Sequence, residues 1–215
     1  MFFPYQDENP SRRWPIVTVL LIAANAGIFL LFGFSPDYEN IVQRYGFIPS
    51  HPSLITLLTS IFLHSGIIHL AGNMWYLWLF GDNVESRFGS FFLPFYLVSG
   101  LAGSWLHTIF AGGMLRDVPC IGASGAISGV LGAYLVLFPG ARVNCFYFFY
   151  VRAGTVSIQA GWFLGFWLFF QLLYGMLATS MGAGGVAYWA HIGGFAFGAG
   201  IGLIVRFSQR LPAEL

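Results

Sequence analysis

Charged side chains are confined to a few places in this 215-residue chain. They leave charge-free stretches at 14–36, 45–81, 88–115, 118–141 and 153–205, the last of them 53 residues long. A helix that crosses hydrocarbon needs about 20 apolar residues, so each stretch accommodates one crossing and the last accommodates two, split at the glycine-rich segment 178–187. With 57% hydrophobic and 8% charged residues and a mean hydropathy of +0.74, the apolar surface exceeds what one soluble core can bury. Lipid is therefore the expected solvent. A net charge of +1 carries no nucleic-acid footprint.

The expected spans are 14–34, 65–81, 90–112, 123–139, 158–177 and 187–206, the second short at its outer end. This is an all-α, polytopic, six-helix bundle, with a short N-terminal segment (1–13), a membrane domain (14–206) and a tail (207–215). Six crossings put both termini on one side. Arg12, Arg13, Arg87, Arg142, Arg152, Arg206 and Arg210 then share that side, leaving only Arg44 and Arg116 opposite, and the positive-inside rule makes the termini cytoplasmic. Arg12 and Arg13 flank a full-length span rather than preceding a short apolar core, so the first helix is expected to stay as an anchor and not to be a signal peptide. The expected location is the plasma membrane of a prokaryote.

Within this frame a few polar groups stand out. Ser124, in Gly122-Ala123-Ser124-Gly125, opens the fourth span; His191, in Ala190-His191-Ile192-Gly193-Gly194, lies in the sixth; His69 and Asn73 are one turn apart in the second. Those three spans run in the same direction, so all four residues fall in the outer halves of their helices. Strongly polar groups held in lipid are functional by default. A serine hydroxyl becomes a nucleophile when a base removes its proton, and neutral imidazole is the usual base near pH 7. Every Asp and Glu falls at or beyond the ends of the spans, which favours a Ser124–His191 dyad over a triad. The Ser124 backbone N–H at a helix N-terminus, with His69 and Asn73, supplies candidate donors for an oxyanion. Gly194, Gly198 and Gly202 recur every four residues on the sixth span, as Gly125 and Gly129 do on the fourth, a pattern that lets helix backbones approach closely.

Plainer readings exist for each residue. Ser124 fits an N-cap, His69 and Asn73 fit interhelical hydrogen-bond glue, and His191 fits a satisfied core histidine or a proton relay. His51 reads as a loop residue, His107 as a polar group near the outer interface, and His64 as interfacial at the start of the second span. A metal site from His64, His69 and His191 lacks carboxylate or thiolate ligands. Cys120 and Cys145 fall on opposite sides of the membrane and cannot pair, and no cofactor motif appears.

Taken together, His64-x4-His69-x3-Asn73, Gly122-Ala123-Ser124-Gly125 and Ala190-His191-Ile192-Gly193-Gly194 resemble the signature of the rhomboid intramembrane serine proteases. The resemblance extends over about 14–206 and includes Tyr45-Gly46-Phe47-Ile48-Pro49, Glu85-Ser86-Arg87-Phe88-Gly89 and Leu137-Phe138-Pro139. It implies a six-helix core, a water-filled cavity open to the outer side, and cleavage of peptide bonds in or beside transmembrane helices of membrane-protein substrates. It also implies Ser124 as nucleophile, His191 as general base, and His69 and Asn73 as oxyanion donors. Two departures stand out: the Trp-Arg pair often found in the first outer loop is missing before Phe62, and Ser128 replaces an aromatic often found one turn after the serine. The competing expectations are a catalytically inactive rhomboid-like protein that binds transmembrane helices, and a small transporter. Inactive relatives typically lose the serine or the histidine, whereas a transporter would more often carry inverted repeats or mid-membrane charges.

Overall fold

The computed structural model describes residues 2–9, 11, 14–110, 113–181 and 185–208. In chain order its elements are β1 (Phe2–Asp7), α1 (Ile16–Phe32), α2 (Tyr38–Tyr45), α3 (Leu54–Thr59), α4 (Ile67–Phe88), α5 (Phe92–Phe110), α6 (Ser124–Leu137), β2 (Arg142–Phe149), β3 (Arg152–Gln159), α7 (Ala160–Met181) and α8 (Tyr188–Ser208). Among the described residues, Ile67–Phe110, α7 and α8 are long and apolar enough to cross a membrane, and α1 and α6 are shorter apolar helices. Ile67–Phe110 folds as two helices because Gly89 adopts φ 57° and a 3-10 turn follows at Gly89–Phe91. Only glycine takes that backbone conformation cheaply.

Each expected span overlaps an apolar helix, but α4 continues past residue 81 to Phe88. Its charged last turns stay helical because the charges are used. The Glu85 carboxylate accepts the free N–H groups of Val17 and Thr18 at 2.9 and 2.8 Å, capping the start of α1 where the helix dipole favours an anion. Arg87 lies over the Phe138 ring at 5.4 Å.

The expectation of an all-α fold needs correction. β1, β2 and β3 form an antiparallel sheet in that order, with Asp7 opposite Val143, Phe2 opposite Tyr147 and Arg142 opposite Gln159. The residues explain it. Aromatic and β-branched side chains favour strands, and the alternation in β2 turns Val143 and Cys145 into the core while Arg142 and Phe146 face outward. Pro4 is tolerated because β1 is an edge strand. That edge is fastened to the helices: Trp75 Nε1–H donates to the Pro4 carbonyl at 2.7 Å, and the Asp7 carboxylate accepts from Asn83 Nδ2 at 2.8 Å and the Tyr134 hydroxyl at 2.7 Å. Arg12, Arg13, Arg210 and most of the expected tail lie outside the described residues.

The glycine stripes of α6 and α8 face each other. A Cβ at Gly194 or Gly198 would overlap the carbonyl oxygen of Gly125 or Gly129, and one at Gly202 would lie 3.0 Å from the Cα of Ala133. Backbone therefore packs on backbone along the interface, and this fixes the separation of the two helix ends that carry Ser124 and His191.

Candidate active site

Ser124 is the first residue of α6. The turn before it requires glycine: Gly122 has φ 126°, and a Cβ there would meet Cε1 and Nε2 of His69 at 2.8 and 2.9 Å. The approach is pinned by the Gly122 N–H donating to the Ser60 carbonyl at 2.9 Å and by the paired backbone bonds of Phe47 and Cys120 at 3.0 and 2.7 Å.

His191 lies in the first turn of α8, and its Nε2 is 2.8 Å from Ser124 Oγ. These residues are 67 apart in sequence, and the close α6–α8 packing brings them within hydrogen-bond reach. With Nε2 unprotonated, the Ser124 hydroxyl donates to it, which is the geometry needed for proton removal. On the other side of the ring, Nδ1 is 2.7 Å from Oε1 of Gln171 on α7. The sequence reading missed Gln171. The signal was present: it is the one amide in the otherwise apolar α7.

The ring's apolar neighbours were also missed. Trp167 lies 6.1 Å away, centroid to centroid, tilted by 32°, and Tyr188 lies edge-on at 6.5 Å. Ser128, at the position where an aromatic was expected, turns its hydroxyl back to the Ser124 carbonyl at 2.6 Å. The ring is therefore flanked from α7 and α8, with no aromatic one turn after the serine.

His69 reaches the same place from the first turn of α4, where its ring crowds Gly122. Its Nδ1 faces Ser65 Oγ at 3.0 Å and accepts from the Ser65 backbone N–H at 3.4 Å. A backbone N–H can only donate, so Nδ1 accepts here and the hydrogen of the neutral ring sits on Nε2, on the Gly122 side. Asn73 is buried, and its Nδ2 donates to the His69 carbonyl at 3.0 Å. In this arrangement one of the two N–H donors of its amide is engaged within its own helix, and the second remains for another acceptor.

Of the remaining histidines, His51 is exposed in a bend ahead of α3. His64 is fully buried, with its ring edge-on to His69 at 5.1 Å. Tyr38 on α2 covers it, donating its hydroxyl to the His64 carbonyl at 2.7 Å and accepting the His64 N–H at 3.1 Å. His107 is buried as well. Among the described residues no group of three His, Cys, Asp or Glu side chains is arranged to hold a metal ion.

A cavity of about 690 Å³ opens at this end of the bundle, walled by Tyr38, Ser65, His69, His107, Thr179 and Trp189 among others. Ala178 and Gly185, from the glycine-rich segment, also line it; residues 182–184 lie outside the described residues. Trp189 closes one side by stacking on Phe110 at 4.0 Å and donating Nε1–H to Thr179 Oγ1 at 2.9 Å. Cys120 lines the cavity too, but burial pushes its thiol up to about 12, so it offers no thiolate near neutral pH.

Comparison with known proteins places the chain in a family. The family model described as the Rhomboid domain matches residues 51–208. The mitochondrial Rhomboid protein 1 of Saccharomyces cerevisiae is 30% identical over 202 residues, covering 91% of this chain and 54% of that protein. Rhomboid protease GluP of Bacillus subtilis is 40% identical over 128 residues, 56% of this chain and 24% of that protein. The mitochondrial presenilin-associated rhomboid-like protein of Rattus norvegicus is 29% identical over 188 residues, 83% of this chain and 45% of its own length. The chain thus spans about half, or less, of these relatives. Two of the three are mitochondrial, so the expectation of a prokaryotic plasma membrane is not supported. The family match and the apolar helices establish an integral membrane protein.

Proposed function

The chain belongs to the rhomboid family, and on that premise we propose that it is an intramembrane serine endopeptidase cleaving peptide bonds in or beside the transmembrane segments of membrane-protein substrates. The observation that carries the proposal is the 2.8 Å contact between Ser124 Oγ and His191 Nε2, beside the cavity that His69 lines. In this reading α1, α4, α5, α6, α7 and α8 are six spans within 14–206, the termini are cytoplasmic, and the cavity opens to the outer side. Ala178, Thr179 and Gly185 line its rim.

The chemistry follows from the donors and acceptors. Ser124 Oγ attacks the substrate carbonyl carbon while its proton passes to His191 Nε2. The imidazolium then returns that proton to the leaving amine, and water, activated by the same nitrogen, releases the acyl group from Ser124. The negative oxygen formed in each step is held by the Ser124 backbone N–H at the start of α6 and by His69 Nε2–H. Asn73 joins through the second N–H of its amide.

The test is cleavage of a transmembrane substrate by the purified protein and its variants. Ser124→Ala and His191→Ala are each expected to abolish turnover, and the double variant to match either single one, because nucleophile and base act as one unit. If the folded wild-type protein binds transmembrane helices but cleaves none, the inactive rhomboid-like alternative holds instead.

A further inference from the structure

We propose that Gln171 is the positioning residue of this site: its amide oxygen accepts the Nδ1–H of His191 and so selects the tautomer in which Nε2 is free to take the serine proton. The inference rests on the protease reading and deepens it. Two contacts on one ring carry it, Gln171 Oε1 to Nδ1 at 2.7 Å and Ser124 Oγ to Nε2 at 2.8 Å.

A neutral imidazole holds one ring proton. If that proton sits on Nε2, the ring donates to Ser124 and cannot act as its base; if it sits on Nδ1, Nε2 accepts. A carbonyl oxygen can only accept, so with Oε1 facing the ring, Nδ1 carries the hydrogen. The bond survives proton transfer, because the imidazolium still has its Nδ1–H. Carboxylates perform this orienting task in soluble serine hydrolases. Here an amide provides the geometry without an anion in a membrane-embedded helix, where a buried carboxylate is strongly disfavoured. Trp167, one turn before Gln171 on α7, flanks the same ring at 6.1 Å. Orientation of His191 is therefore assigned to α7, in place of an aromatic on α6.

The consequence is a division of labour among three helices. α6 supplies the nucleophile, α8 the base and α7 the orienting acceptor, so outward movement of α7 would release the ring from its productive tautomer even with the α6–α8 interface intact. In a serine protease whose orienting carboxylate becomes an amide of the wrong polarity, turnover falls by about 10⁴-fold. Loss of Gln171 leaves the ring access to both tautomers, so the expected fall is smaller, on the order of 10- to 10³-fold.

The experiment combines turnover with a direct measurement of the tautomer. ¹⁵N NMR of histidine-labelled protein, with the His191 signals identified by their loss in His191→Asn, is expected to show Nδ1 protonated in the wild type and a mixture of tautomers in Gln171→Leu. Turnover per folded molecule of Gln171→Leu should fall by the stated factor. An Nε2–H ring in the wild type would overturn the proposal, as would unchanged tautomer and turnover in Gln171→Leu. Because the tautomer is read without substrate, the inference and the protease reading fail separately: a wild type that never cleaves but holds Nδ1–H contradicts only the latter.

Discussion

Gly198→Ala puts a methyl group where the backbone of Gly129 already lies. A Cβ at Gly198 would sit 2.5 Å from the carbonyl carbon of Gly129 and 2.6 Å from its Cα, against 3.4–4 Å for ordinary contact. Neither neighbour is a flexible side chain, so α8 must move from α6 by about 1 Å. Gly198 is two turns from His191 on the same helix. Carried along the helix, that shift stretches the 2.8 Å Ser124–His191 contact beyond normal hydrogen-bond length. A misplacement of about 1 Å at a reacting centre costs on the order of 10²-fold in rate, and overpacking a tight interface costs about 1–3 kcal/mol of stability. The assay is turnover of a fluorogenic transmembrane peptide per folded molecule, beside the melting temperature. Gly200→Ala is the control, since a Cβ there meets nothing within 4 Å, and it should remain near wild type. If Gly198→Ala cleaves as fast as Gly200→Ala, the α6–α8 spacing does not set the geometry of the site.

Three further outcomes follow from the same structure. Burial, reinforced by the neighbouring Asp82, raises the Asp7 carboxyl from 3.8 to about 6; a raised carboxyl favours the folded state below its unfolded pKa and loses that contribution as pH rises through the folded one. The melting temperature of wild type relative to Asp7→Asn should therefore fall between pH 4 and pH 7, and parallel profiles would refute the assignment. Glu85→Ala removes the acceptor of the Val17 and Thr18 N–H groups and should cost about 1–2 kcal/mol in reversible unfolding; an unchanged melting temperature would show that α1 is held without it. Asn73→Ala and His69→Ala should each fold yet lose about 10²- to 10³-fold in turnover, whereas activity falling only in proportion to folded protein would mark them as structural.

What the sequence made legible was what lipid punishes most. Charges at 37–44, 82–87, 116–117 and 142–152 leave the apolar helices few alternative positions, and Ser124 and His191 stood out as polar groups within them. The sheet was hidden because 143–151 reads as one short apolar run, too short to cross and without the clean alternation of a solvent-facing strand, while its partner β1 lies more than a hundred residues earlier. Helices α2 and α3 lie between the first two expected spans, in the region read as the first outer loop. The burial of His64 was not legible because nothing in its neighbourhood announces that Tyr38 folds over it. Gln171 escaped for another reason: its link to His191 crosses from α7 to α8, and no local spacing rule relates the two.

The central claim is that Ser124 is a nucleophile activated by His191. A fluorophosphonate activity probe, reacted with the purified protein and mapped by peptide mass spectrometry, tests it most directly. Adduct is expected on Ser124 in wild type, none at that position in His191→Ala, and none anywhere in Ser124→Ala, all three proteins being folded by the same melting criterion. Folded wild-type protein that stays unlabelled under conditions that label a known serine protease, or adduct formation that persists unchanged in His191→Ala, would contradict it.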